Sequence, residues 1–356
     1  MNQFLTAIMA LGVLLGGLDR IFGNRFGLGA KFEEGFHLLG PMALSMAGIT
    51  CLTPLIADFS QVFLSPALSA VGIDPAICGG ILAIDTGGYP LAMELAADGA
   101  VGQYAGIIVA ATFGCTVVFV IPVGMRYLSG EARAHFANGL LIGLVTLPVG
   151  LLIGGTLCGL TLWQTVYQSL PVLLISAILL WGLIRNTEKT VRGFTIFAKL
   201  ISAVTTLGLM LAAIQSLTGL QIFPRLMPLE EVMAVISSIG IVMLGCMPIT
   251  AILQKLLHRP ICWIGKKTGL TSASTAAMFF GVIIAMPALV LLKDMDKRGR
   301  IVNGALLVCG ASALSAHLGF TLGAAPEMVT PLLFSKLIGA VFAAIAAIVI
   351  TRPDRT

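Results

Sequence analysis

The chain has 356 residues, of which 58% are hydrophobic, 41 are glycine and 10% are charged, with 21 basic and 16 acidic side chains; its mean hydropathy is +1.02. An ordinary soluble domain carries about 25% charged residues, so this chain could not cover a water-facing surface, and collagen, coiled coil, nucleic-acid binder and disulfide-stapled secreted domain are excluded with it. The composition is that of an all-α, polytopic integral membrane protein, in which the net charge of +5 matters by its placement, because basic loops mark the cytoplasmic side.

A helix needs about 20 apolar residues to cross roughly 30 Å of hydrocarbon. Runs of about that length lie near 3–22, 35–57, 74–97, 102–124, 136–159, 162–184, 194–217, 231–257, 270–292, 301–322 and 329–351. The first begins Met1-Asn2-Gln3, without a basic n-region, and lacks a small-x-small end, so it reads as a retained helix and not a cleaved signal. Connections are short, which implies one integral domain, and Arg352 to Thr356 is a stub. The cysteines (Cys51, Cys78, Cys115, Cys158, Cys246, Cys262, Cys309) show no Cys-x-x-Cys spacing and read as small buried hydrophobes.

Charge placement then sorts the runs. Arg20, Arg25 and Lys31 follow the first, Arg126 and Arg133 the fourth, and Arg185, Lys189 and Arg192 the sixth. Two adjacent loops are both basic: Lys255, Arg259, Lys266 and Lys267, then Lys293, Lys297, Arg298 and Arg300. If both are cytoplasmic, the run at 270–292 must enter and leave on one side. The run at 74–97 is the mirror case, flanked by Asp58, Asp74 and Asp98 without nearby Lys or Arg. The expectation is two re-entrant or broken segments from opposite faces and nine true spans, with the N-terminus outside and the C-terminus cytoplasmic.

An internal repeat agrees with that count. At an offset of about 197 residues Gly12 pairs with Gly208, Glu33-Glu34 with Glu230-Glu231, Ile49-Thr50 with Ile249-Thr250, Gly72 with Gly269, Pro90 with Pro287 and Gly106 with Gly304. The predicted organisation is a first membrane repeat over 1–160, a linker span over 161–193 and a second, inverted repeat over 194–356. Inverted repeats with broken midplane segments are a transporter architecture.

Asp85-Thr86-Gly87-Gly88-Tyr89-Pro90 lies in the middle of the run 74–97. A carboxylate at that depth is costly unless partnered and marks a functional site. Gly87, Gly88 and Pro90 break the helix and free backbone carbonyls, which are tolerated where they face protein or a wet cavity. With Tyr89 beside it, Asp85 suits a small organic cation through charge pairing and cation–π contact; the alternative is a kink that Asp85 caps. Ile84-Asp85-Thr86-Gly87 matches the aspartic-protease strand motif, but that chemistry needs two carboxylates and no second Asp-Thr/Ser-Gly follows. Glu94 is a candidate vestibule charge, and Pro90 and Pro287 are candidate gating positions. Glu33-Glu34 and Glu230-Glu231 read as carboxylates stabilising helix starts. His317 and Asn303 are candidate polar contacts in the second repeat, while Lys199 and Lys336 are close enough to span ends to snorkel. No zinc spacing, phosphate loop or Ser/His/Asp order is present, so neither a cofactor nor an enzyme is expected, and no Lys or Arg is expected at depth to make an anion site.

Phe32-Glu33-Glu34-Gly35-Phe36, Asp85-x-Gly87-Gly88, Gly193-Phe194-x-x-Phe197-Ala198-Lys199, Met295-Asp296-x-Arg298-Gly299-x-Ile301-x-Asn303, His317-Leu318-Gly319-Phe320 and Lys336-Leu337-Ile338-Gly339 together resemble the ethanolamine permease family, the EutH proteins. The resemblance runs from the first span to the last in order. It implies an inner-membrane permease of ethanolamine-utilising bacteria, with ethanolamine as the small-molecule substrate, the lipid bilayer as surroundings and no nucleic acid; the residues leave open a homo-oligomer and, as alternatives, transport of another small amine or amino alcohol or a non-transporting membrane sensor. Family members carry an Asn pair before the second broken segment's proline, where this chain has Ile284 and Ala285, and an Asp where it has Ala316.

Overall fold

The computed structural model describes residues 2–82, 87–221 and 223–351, which are helical nearly throughout and contain no strand. α1 (Asn2–Ile21) turns into α2 (Leu28–His37) around Asp19, whose carboxylate accepts the backbone N–H groups of Phe26, Leu28 and Gly29. α3 (Leu39–Phe63) leads through α4 (Ser65–Ala70) to two short helices, α5 (Ala76–Leu82) and α6 (Gly88–Leu95). α7 (Gly99–Gln103) runs unbroken into π-helical turns over Tyr104–Gly114 and Thr116–Val120 and ends as α8 (Ile121–Arg126). α9 (Gly130–Leu157), α10 (Leu162–Thr218) and α11 (Leu229–Thr268) are long. Then come α12 (Ser272–Ile283), α13 (Ala285–Leu291), α14 (Lys297–Gly310), α15 (Ala316–Ala324) and α16 (Val329–Ile350). Among the described residues six helical stretches are long and apolar enough to cross a membrane, over 28–63, 99–126, 130–157, 162–218, 229–256 and 326–350. The chain is therefore an all-α, multi-pass membrane protein. Its exposed side chains include rows of Leu, Ile, Val and Phe along α10 and α16, as a lipid-facing surface requires.

Three expectations are corrected. The runs at 162–184 and 194–217 are not separated by a loop. They are the arms of α10, which folds back at one non-helical residue, Asn186 (φ −160°, ψ 87°). The Asn186 side chain accepts the Lys189 N–H at 2.9 Å, as an N-cap does, and so starts the second arm at once. A Cβ on Gly182 would lie 2.7 Å from Thr190 Oγ1, two positions that a straight helix holds about 12 Å apart.

The run at 301–322 is not one span either: α14 ends at Gly310 and α15 begins at Ala316. Between them Ser312 has φ +52°, and its neighbours bond elsewhere in the molecule. Nothing in the apolarity of that run announces the break, because its partners lie some thirty residues earlier in the chain.

The third correction concerns Lys336. It does not snorkel; it is fully buried, and its Nζ donates to the Ala111 carbonyl in the π-helical stretch. A lysine side chain does therefore lie at depth. Thr112 and Thr116 hydroxyls donate to the Ile108 and Thr112 carbonyls in the same stretch. Widened helical turns need such side-chain donors to satisfy their carbonyls.

Glycines set the closest helix crossings. A Cβ on Gly12 would overlap the Gly245 carbonyl oxygen where α1 meets α11. One on Gly208 would overlap the Gly48 carbonyl where α3 meets the second arm of α10, and one on Gly139 would overlap the Ile301 carbonyl beside Gly304 where α9 meets α14. In lipid, where apolar burial gives helices little reason to associate, such small-residue contacts let backbones approach and gain dispersion contact.

Candidate functional site

The runs at 74–97 and 270–292 each form a hairpin of two short helices. In the first, α5 and α6 pack arm against arm so closely that a Cβ on Gly79 would lie 2.5 Å from the Ala92 nitrogen. The mouth is closed by Asp74, which is 7% exposed. Its carboxylate accepts the N–H of Ala76, where the hairpin starts, at 2.9 Å, and those of Ala97 and Asp98, where it ends, at 3.1 and 2.9 Å. One carboxylate thus holds both ends of the segment together, which a helix crossing a bilayer would not permit. The mouth is anchored from outside, since the Asp74 N–H donates to Gln168 Oε1 on α10 at 2.8 Å and Gln168 Nε2 donates to the Gly72 carbonyl.

The second hairpin has the same device with its polarity exchanged. The carboxylate stands at the end, on Asp296, and accepts from the Thr271 and Ser274 hydroxyls at the start, at 3.0 and 2.6 Å. Arg298 adds bonds to the Thr268 carbonyl and to the Ile348 carbonyl at the end of α16. Burial pushes the Asp296 carboxyl up, but hydrogen bonds from Ser274, Thr271 and the Gly299 N–H outweigh it and hold the group below its ordinary range. A depressed carboxyl lends stability that is present above its ordinary range and is lost as pH falls through its folded value. Thermal melts across pH are therefore expected to show an acid limb below about pH 5, and Asp296→Asn is expected to flatten it.

The two mouths lie at opposite ends of α16. At its start Gln103, one turn beyond Asp98, donates to Glu327 at 2.9 Å; at its end Arg298 reaches Ile348. The 22 residues between span about 33 Å. The hairpins consequently start from opposite ends of α16.

The inner end of the second hairpin meets the break between α14 and α15. Ser312 N–H donates to the Gly281 carbonyl at 2.9 Å and Leu314 N–H to Val282 at 3.0 Å. The Ser312 hydroxyl accepts the Ala285 N–H at 3.0 Å, and the Ser315 hydroxyl donates to the Ile283 carbonyl. Two interrupted helices thus exchange the hydrogen bonds that each loses at its own break, which is what allows irregular backbone at this depth. His317 belongs to the same joint: it is 1% exposed, with Nδ1 3.0 Å from the Ala311 carbonyl oxygen, an acceptor that calls for the proton on Nδ1.

Beside this joint lies a cavity of about 380 Å³. Tyr89 and Pro90 from the first hairpin, Phe320 from α15, Met46 and Thr50 from α3 and Glu231 from α11 all line it. The Tyr89 and Phe320 rings are 6.2 Å apart and nearly perpendicular, at 79°. Tyr89 is brought close to the π-helical stretch because Gly106 has no side chain there; a Cβ would come within 2.8 Å of the Tyr89 Cα.

The predicted site residues are therefore distributed as follows. Tyr89 and Pro90 line the cavity, and Gly87 and Gly88 are buried at the start of the same arm. Asp85 lies outside the described residues. His317 is buried at the joint on α15, three residues before Phe320, and is not among the cavity's lining residues. Asn303 is also buried, but its amide donates to the Ser274 and Gly299 carbonyls at 2.9 Å each, tying α14 to the start of α12, and it is not among the cavity's lining residues. Glu94 and Pro287 are exposed. Glu33 and Glu34 do not start a helix but sit inside α2, paired with Arg20 and Lys31. Glu230 and Glu231 do stand in the first turn of α11, as expected, yet Glu231 also lines the cavity. The reading of Glu230-Glu231 as a helix-start pair gave no sign of that second use.

A family model described as "Ethanolamine utilisation protein, EutH" matches residues 1–350. The probable ethanolamine permease EutH of Listeria monocytogenes is 38% identical over 343 residues, covering 96% of this chain and 92% of that protein. The uncharacterized protein YxeR of Bacillus subtilis is 37% identical over 347 residues (97% and 94%). The probable ethanolamine permease EutH of Escherichia coli is 33% identical over 395 residues (100% and 97%). No solved structure matches the chain.

Proposed function

The chain belongs to the EutH family, and from that premise we propose that it is a permease importing ethanolamine, a small organic cation, across the bacterial inner membrane. The observation that carries the reading is the cavity between the first hairpin and α15, walled by two aromatic rings and fringed by a carboxylate, Glu231. Asp85 falls in the sequence between α5 and α6, four positions before Tyr89. In this reading it holds the ammonium, Tyr89 supplies cation–π contact, His317 orders the wall behind Phe320, and Glu94, Pro90 and Pro287 serve entry and gating. The reaction is translocation, with no bond made or broken in the substrate.

Alternating access between two inverted repeats, 1–160 and 194–356 with 161–193 as linker, is the mechanism we infer. Two facts support it. The Gly12–Gly245 and Gly48–Gly208 crossings exchange under one register, 12 with 208 and 48 with 245. The hairpin mouths also do so, Asp74 and Asp98 corresponding to Thr271 and Asp296. Basic residues near the second mouth (Lys293, Lys297, Arg300) support a reading in which that mouth and the C-terminus are cytoplasmic and the N-terminus is outside.

The test is uptake of labelled ethanolamine into proteoliposomes. Wild type is expected to show saturable uptake. Asp85→Asn is expected to lower it by about 100-fold or more, the consequence of removing one partner of a buried ion pair, while the protein still purifies as a folded species. Normal uptake by that variant would remove Asp85 from the site, and no uptake by folded wild type would remove ethanolamine.

A further inference from the structure

We propose that this cavity also takes N-methylated amino alcohols, N,N-dimethylethanolamine and choline among them, with the Tyr89–Phe320 corner receiving the methylated ammonium and Glu231 setting the preference for cations. The inference rests on the reading of the cavity as the amine site and extends it from one compound to a substrate class.

Size is the first argument. Ethanolamine has four heavy atoms and displaces the volume of about three to four waters, roughly 100–120 Å³ at ~30 Å³ each. The cavity measures about 380 Å³, so a single ethanolamine would leave most of it filled with water.

The lining is the second argument. The extra space is bounded mostly by apolar groups, which do not anchor ordered water. It is bounded by Met46, Met227, Val232, Val235 and Ile236, against which the polar side chains are Thr50, Ser238, the Tyr89 hydroxyl and Glu231. Water gains little from such walls, whereas methyl groups are favoured there.

Geometry is the third. Two rings at 79° with centroids 6.2 Å apart are disposed as adjacent walls of an aromatic box. That is the arrangement that binds alkylated ammonium, which spreads its charge over methyl groups and sheds water more readily than a primary ammonium. The thioethers of Met46 and Met227, which also line the cavity, are soft enough to adapt to methyl groups of different number. Glu231 is exposed in the first turn of α11 and lines the same cavity, so it meets the cation before the rings do. Its charge is offset there by no described ion pair, whereas Glu33 and Glu34 each have one.

The experiment is competition against labelled ethanolamine on the detergent-purified full chain, with labelled choline as a second, reciprocal probe. Each added methyl is expected to improve competition about three- to fourfold, so choline should displace the label at least tenfold better than ethanolamine itself. Phe320→Leu is expected to bring that ratio close to one. Glu231→Gln is expected to weaken every cation about tenfold and leave the ratio unchanged. The ratio is read on one preparation, so a reduced folded fraction in a variant cancels. Displacement by ethanolamine but by neither methylated compound would overturn the proposal and leave the ethanolamine reading intact. Binding of labelled choline that ethanolamine fails to displace would support the proposal and overturn ethanolamine as the substrate. A choline-to-ethanolamine ratio that Phe320→Leu does not change would overturn the assignment to the aromatic corner.

Discussion

Asp74→Ala is expected to lower the unfolding free energy of the detergent-purified protein by about 3–5 kcal/mol. The side chain is nearly buried and accepts three backbone N–H groups, from Ala76, Ala97 and Asp98. Hydrogen bonds to a charged acceptor contribute about 1.5–3 kcal/mol each, and removing the acceptor leaves the donors without a partner in a site that water reaches poorly. Losses at neighbouring donors are not additive, so the total falls below the sum. Asp74→Asn retains the shape and one oxygen, and about half the loss is expected. The check is a thermal melt, with hydrogen exchange at Ala97 and Asp98 reporting whether the mouth has opened. A melt unchanged from wild type would mean that Gln168 alone anchors the hairpin.

The second large effect is steric. Gly48→Ala would place a methyl group inside the Thr205 carbonyl, and Gly245→Ala would place one inside the Met9 carbonyl. Both obstacles are helix backbone, which cannot step aside as a flexible side chain can, so the helices must separate along their length. Over-packing typically costs about 1–3 kcal/mol where side chains can yield; here about 3 kcal/mol or more is expected for each variant. If the two crossings are related by the internal repeat, the losses should be equal within about 1 kcal/mol. Gly17→Ala is the control: nothing lies within 4 Å of the added methyl, and the higher helix propensity of alanine makes it neutral or slightly stabilising. Melting temperatures of the three purified variants decide the matter, and a Gly48→Ala protein as stable as wild type would contradict the packing described.

Much of this architecture was legible in the sequence because lipid imposes simple demands. A run of twenty apolar residues has few alternatives to a helix, and the placement of Asp58, Asp74 and Asp98 against the basic loops anticipated that 74–97 and 270–292 return to the side they start from. Glycines such as Gly12 and Gly208, singled out in the sequence, sit at close helix crossings, where backbone contact tolerates no substitute. The break at 311–315 was not legible. Its residues are as apolar as a span, and the signal that stops the helix is a set of hydrogen bonds to Gly281, Val282 and Ile283, which sequence spacing does not encode. Lys336 was misread for a related reason: distance to the end of a helix says how far a lysine could reach, not whether a carbonyl such as that of Ala111 awaits it inside. Of the site, Tyr89 and Pro90 were identified from the helix-breaking motif. Phe320 and Glu231 were missed, one inside a family motif noted for its histidine and the other explained away as a helix-start carboxylate. The one available signal was that both stand at polar or aromatic positions one turn from an interruption or a helix end.

The bond from Asp74 to Gln168 also fixes an order of events during synthesis. The two partners are 94 residues apart, so the first hairpin leaves the ribosome and must wait, its mouth held by Asp74 alone, until the first arm of α10 has been made and inserted. The second hairpin waits less, because the corresponding outside anchor of its mouth, Arg298 to the Ile348 carbonyl, spans 50 residues. A nascent chain stalled between 100 and 160 should therefore present residues 74–98 to proteases and chaperones in a state that a chain stalled beyond 170 no longer shows.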